Sequence, residues 1–226
     1  MLPSVKRLKP ILLTIRLIGG EAMDHPATLC PRRLLLNHLI PIMDDPQAVL
    51  ALINGIRNEF TEVLPISCDK HPAYVSIEVV SSSDHLNERC STRGANCTFV
   101  DALVMAKHQS AKTIMIPIKW KYTESYPTFD KSSEGDMKRK ELERQRRYNQ
   151  LIDDSAQLVS LEVYEGSVYY QEPFYQLMRQ TLWAEQVVKH KESERIKADD
   201  FWHLHIVPPA NDSLLACNYK VLKFRI

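Results

Sequence analysis

Thr98-Phe99-Val100-Asp101-Ala102-Leu103-Val104 and, after a turn, Ile116-Pro117-Ile118-Lys119-Trp120-Lys121-Tyr122 read as two adjacent β-strands. Both runs are rich in branched and aromatic residues, which suit a pleated, half-buried surface. The spacing predicts strands over 97–106 and 112–122, joined by Lys107-His108-Gln109-Ser110 as a hairpin or close meander. Strand side chains alternate, so Ile114, Ile116 and Ile118 share one face while Met115, Pro117, Lys119 and Lys121 share the other. The pairing brings Asp101, Lys119 and Lys121 to one side of a sheet.

Working outward, Tyr74 to Val80 alternates and is β-branched, which predicts a third strand before the pair. Residues 1–20 read as an apolar strand or irregular lead-in ending at Gly19-Gly20. Pro31 to about Asn58 is helical, with Val49, Leu50, Leu52, Ile53 and Ile56 at helical spacing after an Asp45-Pro46 start. Phe60 to Leu64 is expected to extend or close that helical region. Beyond the pair, residues 123–136 are a polar loop and Asp136 to Asp154 a charge-dense helix. Glu172 to about Lys191 is a second helix with Pro173 in its first turn. His203 to Val207 alternates like a strand and is stopped by Pro208-Pro209. Helices, a three-strand antiparallel run, helices and another strand make an α/β fold with a mixed central sheet.

The chain has 226 residues, too few for two domains of ordinary size. A single domain over 1–226 is expected, with a helical N-terminal part over about 1–72 and a core over about 73–209. Apolar content of 44% and charged content of 25% are ordinary for a soluble globular protein. A formal net charge of +1 rules out a globally basic binder, so any basic surface is local. The five cysteines form no Cys-x-x-Cys pair, which argues against a disulfide framework or zinc ribbon and fits a reducing cytoplasm. Arg16 breaks the N-terminal apolar run too early for a signal core, and no window approaches a membrane span.

The three polar residues on one sheet face carry the chemistry. Phosphodiester cleavage uses a divalent metal to neutralise the phosphate and activate water. Mg²⁺ or Mn²⁺ takes carboxylate oxygens, and a neighbouring lysine can stabilise the transition state. A carboxylate on one strand, with a carboxylate and a lysine two apart on the next, meets that need.

The ordered segments Ile77-Glu78, Thr92-Arg93-Gly94-Ala95-Asn96, Asp101-Ala102 and Ile116 through Tyr126 resemble the PD-(D/E)XK nuclease superfamily. Glu172 to Thr181 and Asp200 to Ile206 fit the same restriction-endonuclease-like group, so the similarity spans roughly Tyr74 to Pro209. The resemblance implies a restriction-endonuclease-like fold: a mixed sheet flanked by helices. It makes Asp101 the metal-binding aspartate, Lys121 the catalytic lysine, Trp120 a backbone ligand to the metal and Glu78 an auxiliary acid. It implies a Mg²⁺-dependent endonuclease acting on DNA, with a homodimer expected because cutting both strands commonly uses two sites.

One position departs from the pattern. The acid before Trp120 is replaced by Lys119, whose ammonium has three donors and no acceptor and cannot ligate Mg²⁺. Three explanations stay open: an engineered inactivating change, natural decay into a non-cleaving binder, or another carboxylate (Glu78, Glu88 or Glu124) taking the role. The first two rank higher, so this chain is expected to cleave DNA poorly or not at all; a silent nucleic-acid- or partner-binding module is the alternative.

Other features weigh less. The 137–147 run is first a solvated helix with Glu–Arg pairs, and only second a phosphate-contacting surface. Arg93, Tyr175, Gln176, Arg179 and Gln180 are candidate nucleic-acid contacts, the last four forming a polar stripe on an apolar helix, with Gln171 and Tyr175 mimicking a motif of some helicase-associated nucleases. His203 and His205 share a strand face without a third ligand at a telling spacing, so structural histidines are the better reading. Trp183 and Trp202 are expected in the core.

Overall fold

A computed structural model describes residues 11–13, 31–66, 73–89, 97–121, 130–132 and 138–207. The predicted hairpin is its centre. Strand β4 (Val100–His108) pairs antiparallel with β5 (Thr113–Trp120), in the register Ala102 to Ile118 and Val104 to Ile116. The turn closes through the His108 N–H on the Lys112 carbonyl at 2.9 Å, with Ala111 at φ 64°.

The outer strands are broken ones. β2 (Phe60–Leu64) pairs antiparallel with the C-terminal half of β4, and β3 (Val75–Val79) pairs with its N-terminal half. The two therefore lie end to end along one edge. On the other side, β6 (Asp200–Phe201) and β7 (Leu204–Ile206) both run parallel to β5, and β1 (Ile11–Leu13) runs parallel to β7. The path across the sheet is β1-β7-β5-β4-β2.

Each sheet face buries an apolar layer under two helices. On one face α1 (Pro31–Leu39) and α2 (Pro46–Ile56) bring Leu35, Leu39, Val49 and Ile53 onto Ala102, Val104, Ile116, Ile118 and Leu204. Asp45 caps α2, its side chain accepting the N–H groups of Gln47 at 2.9 Å and Ala48 at 3.1 Å. On the other face α3 (Lys138–Asp153) and α4 (Phe174–Lys189) bring Tyr148, Ile152, Met178, Leu182 and Trp183 onto Leu103, Met105, Met115 and Phe201. The expected α/β arrangement, a mixed sheet flanked by helices, is what the chain adopts.

One expectation is corrected: Phe60 to Leu64 does not close the helical region but is β2. The backbone of Arg57 is extended (φ −144°), which ends α2. The side chain of Asn54 then accepts the Phe60 N–H and donates to its carbonyl, turning the chain onto the free edge of β4. No helix among the described residues is long and apolar enough to cross a membrane.

Candidate functional site

Asp101 and Lys119 stand side by side on β4 and β5, one step beyond the Ala102–Ile118 pair. The Lys119 ammonium donates to Asp101 Oδ1 at 2.9 Å, and the backbone N–H of Trp120 donates to Asp101 Oδ2 at 2.9 Å. Both carboxylate oxygens are thus engaged from within β5. The pair is mostly shielded, with 11% of the Lys119 side chain and 18% of the Asp101 side chain exposed. The half-buried ring of Phe99 lies 6.0 Å from the ammonium.

Lys121 follows on the same face and is buried. Its ammonium donates to Gln176 Oε1 at 3.1 Å, and Gln176 Nε2 donates to Glu172 Oε2 at 2.9 Å. Of the α4 stripe, Gln176 is therefore the member tied to Lys121. The face continues onto β7, where His205 is in register with Lys119. His205 is buried, and neither ring nitrogen has a hydrogen-bond partner among the described residues. His203 is buried too; its Nδ1 lies 3.3 Å from Thr181 Oγ1, while its Nε2 has no such partner. Burial lowers His203 to about 4, helped by Lys119. Burial lowers His205 to about 3, with His203, Lys121 and Lys119 adding repulsion. Both are neutral imidazoles near neutral pH.

The other expected residues have different settings. Glu78 lies beside Asp101, between the Ile77–Ala102 and Val79–Val100 pairs, at φ 54°. It lines a cavity of about 430 Å³ with Ser76, Met105, Glu194 and Arg195. Arg179 reaches Glu88 Oε1 through Nε at 3.0 Å and Nη2 at 2.7 Å. Glu88 is buried and also accepts from Tyr148 OH at 2.7 Å, Thr98 Oγ1 at 2.6 Å and the Thr98 N–H. Burial pushes the Tyr148 hydroxyl up, so it stays a donor. Gln180 donates to the Phe99 carbonyl at 2.8 Å, and Tyr175 is buried beneath the guanidinium groups of Arg144 and Arg179. Arg179, Glu88 and Gln180 thus fix the segment that leads into Asp101, a role the sequence did not signal. Arg93 and Glu124 lie outside the described residues.

Elsewhere, α3 carries the expected kind of Glu–Arg pair, Arg147 to Glu143 at 3.1 Å, with the Arg147 side chain mostly shielded rather than solvated. Trp183 is core, whereas Trp202 is half-buried, with Arg57 4.4 Å above its ring.

The donor set does not suit a divalent metal. One carboxylate has both oxygens engaged, one of them by an ammonium group, and no three His, Cys, Asp or Glu side chains among the described residues are grouped to hold a metal.

Residues 32–225 match the model of one protein family, described as restriction endonuclease associating with ARP. Comparison with curated proteins and with solved structures gave no match.

Proposed function

The chain belongs to the restriction endonuclease associating with ARP family, and on that premise we propose that it is a DNA-engaging nuclease scaffold whose metal site is closed by Lys119. The observation that carries the reading is the 2.9 Å contact between the Lys119 ammonium and Asp101 Oδ1. In the PD-(D/E)XK pattern an acid at position 119 would stand beside Asp101 and share a cation with it. Here a cation is supplied by the protein itself, covalently attached and not exchangeable. A second positive charge within a few ångströms would be repelled. Lys121, the catalytic lysine of this reading, donates to Gln176.

The test is titration calorimetry with Mg²⁺ and Mn²⁺ alongside a DNA cleavage assay. The native chain should take up neither metal measurably and leave DNA intact. Lys119→Glu should acquire Mn²⁺ binding and cleavage, and both should vanish when Asp101→Ala is added. Metal-dependent cleavage by the native chain, lost in Asp101→Ala, would overturn the proposal. A Lys119→Glu protein that folds but neither binds metal nor cuts favours the second reading, a silent module retained for binding. The description of the family as associating with ARP gives that second reading its support.

A further inference from the structure

We propose that the cleft between the 84–89 loop and α3 is a docking site for a short segment of a partner protein in which acidic side chains flank an apolar one. None of its lining residues belongs to the Asp101–Lys119 pair, and the inference does not depend on how Lys119 is read.

The two walls are set from below. In the loop, the Asp84 carboxylate accepts the backbone N–H of Glu88 at 2.8 Å and that of Arg89 at 2.5 Å. Asn87 and Arg89 take positive φ (55° and 63°), a conformation uncommon outside glycine, and Glu88 between them turns into the core. Arg89 is left facing outward, with 83% of its side chain exposed. Opposite, α3 is anchored by the buried Tyr148 and Ile152. Between the walls lies an open cleft of about 690 Å³, bordered by Asp84, Arg89, Leu142, Glu143, Arg146 and Arg147.

The occupant follows from charge and exposure. Glu143 Oε1 joins the walls, meeting Arg89 Nη2 at 3.3 Å and Arg147 Nη2 at 3.1 Å. Arg146 is exposed and makes no hydrogen bond or ion pair among the described residues. Three arginines thus meet two carboxylates, and the Asp84 carboxylate is already turned to backbone amides. The surplus cation is a planar fork of donors, which suits a carboxylate. Leu142 borders the same cleft and is 54% exposed, so an apolar side chain placed over it leaves water. The same mixture disfavours a nucleic-acid backbone: Asp84 and Glu143 would face its phosphates, and it has no apolar side chain for Leu142. A peptide bearing acidic and apolar side chains answers both features.

The experiment titrates labelled peptides, set in a Gly-Ser frame, into the full chain by fluorescence anisotropy. One carries Glu-Leu-Glu, a second has serine for the leucine, and a third has glutamine for both glutamates. The first should bind, and either change should weaken it by about tenfold, the scale of one buried aliphatic side chain or one charge-assisted bond. Arg146→Glu and Leu142→Ser alter exposed side chains, so circular dichroism should show an unchanged fold. Each should weaken the Glu-Leu-Glu peptide by a similar factor. A Lys-Leu-Lys peptide should bind Arg146→Glu better than it binds the native chain.

The proposal falls if the Glu-Leu-Glu peptide does not bind, or binds Arg146→Glu as tightly as the native chain. It falls too if a DNA duplex in EDTA displaces the peptide and loses affinity in Arg146→Glu but not in Leu142→Ser, which would make the cleft a phosphate-contacting surface. If either variant fails to fold, the peptide series on the native chain decides. Weaker peptide binding in both variants, with duplex binding unchanged, supports the docking site and leaves the closed metal site to its own assay.

Discussion

Glu88 shows how far a single residue's role can lie from its apparent one. By sequence it is a spare acid able to replace the one missing at position 119. In the fold it gathers the Thr98 amide and hydroxyl, the Tyr148 hydroxyl and the Arg179 guanidinium at a buried point away from Asp101's partners. Removing one member of such a network strands the others. Glu88→Gln is expected to destabilise the fold by roughly 3–5 kcal/mol, because Arg179 keeps its charge and loses its counter-ion. Urea unfolding followed by circular dichroism measures this; a loss below about 1 kcal/mol would mean that Arg179 relaxes to solvent. The shared sheet face of Asp101 and Lys119, by contrast, is legible in the sequence, because side chains alternate along each strand and the hairpin pairs the strands; the ion pair between them is not. The contact between Arg179 and Glu88, 91 positions apart, carries no local signal. Nor does the isolation of the His205 ring, which depends on what α4 and the neighbouring strands place over it.

At the scale of elements, the hairpin and the helices α2, α3 and α4 were readable because each has one period over many residues. β2 was not. Phe60, Val63 and Leu64 are apolar at i, i+3 and i+4, the spacing of a helix face, and a five-residue run is too short to decide between periods. What decides is tertiary: the vacant edge of β4 and the clamp from Asn54. Two substitutions probe element ends. Asp45→Ala removes the α2 cap and is expected to cost about 1 kcal/mol. Ala111→Gly should stabilise the β4–β5 turn by several tenths of a kcal/mol, since a positive φ costs alanine roughly 1–2 kcal/mol and glycine almost nothing, partly offset by the entropy of the unfolded glycine. Midpoint shifts in denaturant check both. Opposite signs are expected, and a loss of stability in Ala111→Gly would show that the turn is relaxed.

For the whole molecule, the two apolar layers share one sheet, so damage to either should unfold both together. Leu103→Ala, at a fully buried β4 position, is expected to cost about 2–5 kcal/mol in a single cooperative transition. The buried histidines set the response to acid. Their unfolded value is near 6.5, and in the fold they fall to about 4 and about 3. The unfolded chain therefore binds more protons between those limits. Their contribution is complete above pH 6.5 and is lost as the pH falls toward 4 and below. The melting temperature should drop across that window, and His203→Asn should flatten the drop.

The end-to-end strands along both edges of the hairpin have a further consequence, for motion. Because β2 with β3 covers one side of β4 and β6 with β7 covers one side of β5, the amides of the hairpin are satisfied on both flanks while the edges are interrupted. Hydrogen exchange should accordingly be slowest in β4 and β5, requiring global opening, and faster in the short outer pieces. Asp101 and Lys119 thus ride on the last part of the sheet to open. A ligand arriving there meets side chains whose geometry was settled before it came, and its association should proceed without a folding step.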